Sequence, residues 1–298
     1  MDNHAGLNVY VNNLNQHEKQ NQNLIESNKQ QAKTIERLKI NIDRQKEFIS
    51  IAAHELKTPI MPIIAIAELL EEEECEEESK EVKVKKDYIH TVIRNAKALE
   101  RLASNILDVT RIENYSLIVG KEMINLSKLI SNVVQDYKQQ ILKLNLLTPS
   151  SSSTTTTSKT ITNRRSIKLS YHSEHSNIVV EGDEIRLTQV ISNLLNNAIK
   201  FTKTSNDNDD NDAEINITLQ KKNGSAIVAI KDNGIGIDSN VFPRLFSKFT
   251  TTTRISSSGA GLGLYICKNI IEAHGGKISA ENNQHGRGAT FAFSLPVS

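Results

Sequence analysis

The sequence has few of the residues that mark several common classes of protein. Its 298 residues include two cysteines, five prolines and no tryptophan, and aromatic residues make up 4% of the chain. Cys75 and Cys267 lie far apart and match no metal-ligand spacing, which argues against a disulfide framework and against a zinc site. We expect both to be reduced thiols of a cytoplasmic protein.

A charge excess of one sign and long apolar runs are also missing. The chain carries 36 basic and 35 acidic residues, a formal net charge of +1, so it lacks a general field that attracts nucleic acid or anionic lipid. No stretch approaches the roughly 20 apolar residues of a membrane-spanning helix, and the first ten residues lack the layout of a signal peptide. We therefore expect a soluble, cytoplasmic protein without nucleic-acid binding or membrane insertion.

Two apolar seams follow a leader, residues 1–34, that is rich in Asn and Gln and is predicted to be flexible. Their spacing alternates three and four, as in helices that pack on a partner. The first seam is Ile35, Leu38, Ile42, Gln45, Ile49, Ala52 and Leu56, and the second is Ile89, Val92, Ala96, Leu99, Ala103 and Ile106. Two antiparallel helices form too thin a body to bury both seams, so residues 35–115 are predicted to be a helical hairpin that dimerises into a four-helix bundle.

The second half of the chain alternates helical and strand patterns. This alternation predicts an α/β sandwich over residues 121–298. Low-complexity insertions at 148–165 and 203–213 are interpreted as surface loops. The expected fold class is therefore α+β with two domains, a helical hairpin followed by an α/β sandwich.

The stretch "IAAHELKTPI" (51–60) places a histidine on the first predicted helix. His54 falls on the side opposite the seam, so it should project into solvent, with Thr58 one turn further along the same face. The metalloprotease motif H-E-x-x-H is excluded because Thr58 stands where the second histidine would be. Pro59 cannot donate a hydrogen bond to the carbonyl of Glu55, which predicts a kink or a loosened turn.

The stretch "NLLNNAIKFT" (193–202) predicts a helix with one polar face. Asn193, Asn197 and Lys200 share that face because their spacings are four and three. Carboxamide oxygens suit Mg²⁺, and a lysine can meet phosphate. A simple solvent-exposed face explains this stretch alone equally well.

Two glycine-rich stretches complete the set of candidate sites. In "DNGIGID" (232–238), Asp232 ends a strand, where it can accept a hydrogen bond from an amine of a base, and glycines allow close approach. In "SSSGAGLGLYI" (256–266), three glycines open a helix whose amino end can cradle phosphate. Neither a P-loop nor the dinucleotide fingerprint is present. Each run alone is also compatible with an ordinary turn.

Five stretches together resemble a known family. "FISIAAHELKTP", "NLLNNAIKFT", "DNGIGID", "FPRLFSKF" and "GAGLGLYI" resemble, in order, the H, N, G1, F and G2 boxes of the sensor histidine kinases of two-component systems. "GRGATFAFSLP" is similar to the usual closing strand. The resemblance runs from about residue 35 to the end of the chain. It implies a dimerisation and phosphotransfer hairpin, then a Bergerat-type domain that binds ATP and Mg²⁺.

The resemblance also implies roles for individual residues. His54 would be the phosphoacceptor, Glu55 the acid that helps to take the imidazole proton, and Thr58 the residue that positions water when a phosphorylated response regulator is dephosphorylated. In the implied nucleotide site, Asn197 would hold Mg²⁺, and Asn193 and Lys200 would contact phosphates or metal. Asp232 would bind the adenine amine, in a base pocket shaped by Gly234 and Gly236 with Thr290 nearby. A mobile lid would be anchored by Phe246 and Phe249 and hinged at Gly259, Gly261 and Gly263.

The predicted function is an ATP-dependent histidine kinase that phosphorylates itself, passes the phosphoryl group to an aspartate of a response regulator receiver domain, and dephosphorylates that regulator. Two alternatives stay open. One is an inactive, ATP-binding signalling scaffold. The other is an ATPase of the gyrase and Hsp90 type, which needs a glutamate to activate water where Asn193 stands.

Overall fold

The computed structural model of the chain describes residues 3–76, 86–146, 166–203, 213–250, 260–284 and 287–297. Its helices are α1 (Asn3–Glu76), α2 (Lys86–Glu113), α3 (Leu126–Leu146), α4 (Glu184–Lys203) and α5 (Gly263–Ala273), with a short 3₁₀ helix at Phe242–Arg244. Its strands are β1 (Glu122–Asn125), β2 (Ile167–Ser173), β3 (Val179–Gly182), β4 (Ala213–Lys222), β5 (Ser225–Asp232), β6 (Lys277–Asn282) and β7 (Ala289–Pro296). Most of the predicted loops at 148–165 and 203–213 lies outside the described residues.

The chain divides into two compact units, Met1–His54 and Glu55–Ser298. The first unit is helical from Asn3 onward. Residues 1–58 contain no proline and a single glycine, so nothing in this polar segment breaks a helix. That residues 1–34 form a flexible leader stays a prediction.

Helix α1 continues through its two prolines, Pro59 and Pro62. The missing amide donors therefore do not end the helix. Pro59 is buried, so the ring is held by packing at the point where the hydrogen-bond ladder is interrupted. The kink predicted at this point stays a prediction.

The apolar seams of α1 and α2 are largely exposed in the single chain. Ile49 is 62% exposed and Ile89 is 47% exposed. Exposed apolar rows of this length are typical of helices that pack on another chain. The predicted dimerisation would cover these side chains.

One described helical segment, Phe48–Leu70, is long and apolar enough to cross a membrane by length and composition, with a mean hydropathy of 1.3. This segment differs from the expectation that no stretch approaches membrane-spanning length. A single such segment is weak evidence of a membrane span, since an apolar helix that packs on a partner has the same composition. Absence of membrane insertion stays a prediction.

The second unit contains the α/β sandwich, which confirms the predicted fold class. Its five-stranded sheet has the order β2-β4-β5-β7-β6, in which β2 and β4 are parallel and the other neighbours are antiparallel. A separate antiparallel pair is formed by β1 and β3. Helices α3, α4 and α5 pack on the sheet, and every second residue of β4, β5 and β7 is buried. This alternation places the core on one face of the sheet.

A buried carboxylate ties α2 to α4 within the second unit. Asp108 is 2% exposed. Its Oδ1 accepts a hydrogen bond from Nη1 of Arg186, and its Oδ2 accepts one from Nε2 of Gln189, both at 2.8 Å. Because both oxygens are paired, this network fixes α2 against the helix that carries the N motif.

Replacement of Asp108 by alanine is expected to lower the free energy of unfolding by about 3 kcal/mol. The change removes the carboxylate from the Arg186 side chain, which is only 16% exposed. Urea denaturation followed by circular dichroism measures the effect. Arg111→Ala is the control, because this side chain is 56% exposed and 4.0 Å from Asp108, and the expected change is below about 0.5 kcal/mol. Equal effects of the two substitutions would contradict the prediction.

Candidate functional site

A cavity lies where the carboxyl end of β5, the loop that follows it, α4, α5 and β7 meet. Its empty space, counted together with the part that is open to the solvent, is about 760 Å³. Its lining residues are Asn197, Lys200, Phe201, Asp232, Gly236, Ile237, Val241, Leu245, Thr250, Gly261, Gly263, Leu264, Ala289 and Phe291. Residues of the N, G1, F and G2 motifs, far apart in the sequence, thus line one cavity.

Asp232 ends the buried row of β5 and places a carboxylate against the cavity. It is 4% exposed, and its Oδ1 accepts hydrogen bonds from the backbone amides of Gly234 (2.9 Å) and Ala289 (3.2 Å). Burial raises the pKa of this carboxyl, while the two amides lower it. Both bonds fall on Oδ1, so Oδ2 is the oxygen that can accept a hydrogen bond from a ligand.

Glycines allow the backbone to close around Asp232. At Gly234 a Cβ would lie 2.7 Å from the carbonyl oxygen of Phe201. At Gly288, where φ is +97°, a Cβ would lie 2.7 Å from the carbonyl carbon of Asp232. Gly288 belongs to the stretch "GRGATFAFSLP" and was not among the predicted site residues. The sequence does not show which distant segment packs against a glycine.

Replacement of Gly288 by alanine is expected to destabilise the protein by about 3 kcal/mol or more, because strain at positive φ adds to overpacking. Gly224 is the matched control. It has φ +74° in the β4–β5 turn, but a Cβ there would meet nothing within 4 Å. Gly224→Ala should therefore cost only the backbone strain, about 1–2 kcal/mol. Thermal unfolding of both variants tests the difference, and equal losses would show that the contact with Asp232 is unimportant.

The part of the cavity lining that comes from α4 and α5 has features that suit phosphate. Asn197 and Lys200 of α4 line it, and so does Gly263, the first residue of α5. The N-cap residue of α5, Leu262, makes no side-chain capping hydrogen bond, so the amino end of this helix is available to an anion. Burial lowers the pKa of Lys200, and the negative charge of Glu55 raises it.

Asn193 lies one turn before Asn197 and does not line the cavity. Its amide faces the amino end of α5, since a Cβ at Gly263 would lie 3.8 Å from the Asn193 Cγ. Its Nδ2 is buried without a hydrogen-bond partner among the described residues. The nearby Cys267 thiol is a weak acceptor, and the Asn193 amide partly offsets the rise that burial causes in the pKa of this thiol. An unpaired buried Nδ2 is a hydrogen-bond donor, so it suits a phosphate oxygen, whereas Mg²⁺ takes oxygen ligands.

The predicted lid anchors lie next to the cavity. Phe246 and Phe249 are partly buried, while Leu245 and Thr250 beside them line it. Phe249 has φ +59°. Gly261, with φ +63°, approaches it so closely that a Cβ would lie 2.8 Å from the Phe249 carbonyl carbon. This contact links the F and G2 motifs.

The remaining predicted residues of the lid hinge and the base pocket are Gly259 and Thr290. Gly259 lies outside the described residues. Lys248 forms an ion pair with Glu113 at the end of α2 and lies 5.4 Å from the centroid of the Tyr265 ring. Thr290 does not line the cavity. Its Oγ1 donates a hydrogen bond to Oδ1 of Asn283 at 2.8 Å.

The residues of the H motif are on α1. His54 and Thr58 are exposed, and Glu55 is partly buried. The exposure of His54 agrees with the face assigned to it from the seam. The His54 ring is therefore exposed and is not packed in a core.

One buried histidine was missed. His274 is 3% exposed, its Nδ1 donates to the carbonyl oxygen of Ile270 at 2.7 Å, and its Nε2 accepts from the amide of Asp183 at 2.9 Å. It thus joins the end of α5 to the start of α4. The stretch "AHGG" after an apolar helix was the available signal.

Two family models match the chain. The model described as "His Kinase A (phospho-acceptor) domain" matches residues 44–115. The model described as "Histidine kinase-, DNA gyrase B-, and HSP90-like ATPase" matches residues 182–298. The first range contains the H motif, and the second contains every motif that lines the cavity.

Curated relatives agree with these matches. The chain is 31% identical over 272 residues to the sensor protein KdpD of Clostridium acetobutylicum, which covers 89% of this chain and 26% of KdpD. It is 31% identical over 261 residues to the sensor protein SrrB of Staphylococcus aureus, which covers 86% of this chain and 39% of SrrB. The chain thus spans well under half the length of these relatives.

Solved structures share the fold. The histidine kinase ThkA, in complex with the response regulator protein TrrA, has a TM-score of 0.55 and 25% identity, over 85% of this chain and 61% of that one. The Acinetobacter baumannii histidine kinase AdeS has a TM-score of 0.55 and 19% identity, over 82% of this chain and 98% of that one, and shows the fold alone. The family predicted from the motifs is confirmed. The phospho-acceptor match contains an exposed histidine and the ATPase match contains the cavity, and the chain belongs to the sensor histidine kinases.

Proposed function

We propose that the chain is an ATP-dependent histidine kinase that phosphorylates His54 and passes the phosphoryl group to an aspartate of a response regulator. The observation that carries the proposal is the cavity at the end of β5. Its lining contains a buried carboxylate, whose Oδ2 has no partner among the described residues, together with a lysine and the first residue of a helix that has no side-chain cap. A purine with an exocyclic amine and a chain of phosphates matches these groups.

The base is held by Asp232. Oδ1 is already occupied by two backbone amides, so the base amine donates to Oδ2. That bond favours the ionised carboxylate, which burial alone disfavours. Binding of the base thus supplies the donor that this carboxylate lacks in the free protein.

The phosphates are held by Lys200 and by the first amides of α5. Asn197 would hold Mg²⁺, which when bound neutralises phosphate charge, and Asn193 would contact the phosphates or the metal. The partly buried lysine gains a negative partner in the phosphates, which favours its charged form. These residues position and neutralise more than they react, which is what phosphoryl transfer requires of a protein.

The acceptor chemistry belongs to the H motif. A neutral imidazole has a lone pair on one ring nitrogen, and this lone pair can attack phosphorus. Glu55 accepts a hydrogen bond from the N–H of the other ring nitrogen, which directs the lone pair outward and stabilises the charge that forms on the ring. The new phosphorus–nitrogen bond replaces the bond from the γ-phosphorus to the bridging oxygen, and ADP leaves.

The helical hairpin also carries the proposed contacts with partners. The exposed seams of α1 and α2 pack against a second copy of the chain, as the phospho-acceptor match favours. A receiver domain takes the phosphoryl group from His54, and ThkA, whose solved complex contains a response regulator protein, is the precedent. Thr58 positions the water that dephosphorylates the regulator. The reaction takes place in the cytoplasm, where ATP is available.

Incubation with γ-labelled ATP and Mg²⁺ tests the proposed function. A histidine kinase acquires an acid-labile, alkali-stable label, which a receiver domain then removes. Release of free phosphate without labelled protein would show an ATPase instead. Nucleotide binding with neither label nor phosphate release would show an inactive scaffold.

A further inference from the structure

A carboxamide at the end of β6 holds the wall of the cavity. Oδ1 of Asn282 accepts a hydrogen bond from the amide of Ile237 at 2.7 Å, and its Nδ2 donates to the carbonyl oxygen of the same residue at 2.9 Å. The side chain thus makes both hydrogen bonds that a neighbouring strand would make with one residue. Ile237 and Gly236 before it both line the cavity.

The contact extends to the glycine. Gly236 has φ +75°, and a Cβ there would lie 2.9 Å from Oδ1 of Asn282. The carboxamide therefore packs directly on the glycine that borders the cavity. No other residue of the described chain bonds to the amide or the carbonyl of Ile237, so Asn282 provides the polar anchoring of this point of the loop.

The next residue holds the start of the same loop. Nδ2 of Asn283 donates to the carbonyl oxygens of Asp232 (2.8 Å) and Arg287 (3.0 Å), and its Oδ1 accepts from Thr290. Two consecutive asparagines thus fix the loop at Asp232 and again at Ile237. Between these points lies the backbone that faces the base in the proposed function.

We propose that Asn282 is a positioning residue of the nucleotide site, whose clasp on Ile237 holds the base-facing wall ready before ATP arrives. The inference rests on the proposed binding of ATP. Ordering a loop costs conformational entropy, and a loop held in place beforehand does not take this cost from the binding energy. Asn282 is exposed, so water replaces its hydrogen bonds when the side chain is removed, and global stability changes little.

Nucleotide titration of Asn282→Ala tests the inference. The Kd for ATP and the Kd for ADP should both rise about tenfold, since both share the base. In the kinase assay KM for ATP should rise while kcat at saturating ATP is unchanged. Hydrogen exchange of residues 233–240 should become faster. Gln284→Ala is the matched control, because it removes an exposed carboxamide from the same turn, and no change is expected.

The outcomes separate this inference from the proposed function. If the wild type does not bind ATP, the proposed function fails, and the positioning role with it. If the wild type binds ATP and Asn282→Ala binds within about twofold of it, the positioning role alone is overturned. A parallel loss of melting temperature, kcat and affinity would show a purely structural residue and would also overturn it.

Discussion

Asp232→Asn is expected to weaken ATP binding by a factor of about 100 or more. The two backbone amides that bond to Oδ1 require an acceptor at that position, so the carboxamide oxygen must take it. The Nδ2 group is then forced into the place of Oδ2, where it presents a donor to the donor amine of adenine. Loss of a charged hydrogen bond together with two opposed donors accounts for this factor.

The same forced orientation predicts a change of specificity. Hypoxanthine has a carbonyl oxygen where adenine has its amine, and this oxygen can accept from the Nδ2 of the variant. ITP should therefore compete better than ATP for Asp232→Asn, and worse than ATP for the wild type. A competition titration with both nucleotides measures this inversion. ATP affinity within about fivefold of wild type in the variant would remove Asp232 from base recognition.

Stability should move in the opposite direction to binding. Because burial raises the pKa of Asp232 above its ordinary value of 3.8, the free folded protein binds this proton more tightly than the unfolded chain does. Its contribution to stability is therefore present below pH 3.8 and is lost as the pH rises through the higher folded pKa. Asp232→Asn has no such loss, so at pH 7 it should be at least as stable as the wild type in a urea titration. Poor ATP binding by this variant then cannot be attributed to unfolding.

His54→Gln is expected to abolish the protein label in the γ-labelled ATP assay, a loss of at least about 1,000-fold, because a carboxamide nitrogen is not a nucleophile for phosphoryl transfer. ATP affinity should be unchanged, because His54 is not among the residues that line the cavity. His90→Gln is the matched control, since His90 is an exposed histidine of the same hairpin, and it should keep full label. Label that persists on His54→Gln would move the acceptor to another residue.

Short motifs with a local geometric meaning could be interpreted from the sequence. The seam positions were enough to place His54 on an exposed face, because side-chain direction on a helix follows from residue spacing. Strand alternation predicted the α/β sandwich, and the acid that ends the buried row of β5 was recognised as Asp232. Each of these inferences needs only a few consecutive residues.

The contacts that complete the site could not be predicted in this way. Gly288 touches the backbone of Asp232, Asn282 clasps Ile237, and Asp108 bonds to Arg186. These pairs are separated by dozens of residues in the chain. A polar side chain with several possible partners does not specify which backbone group the fold will bring to it.

Residue type, order and periodic spacing were enough to predict the family and the two kinds of domain, and to propose the reactive groups. The folded chain was needed to show which oxygen of Asp232 has no partner among the described residues, which glycines have no room for a side chain, and which asparagine bonds to Ile237 in the cavity wall. These properties depend on distances of a few ångströms between distant segments, and such distances exist only after the sheet and its helices have packed.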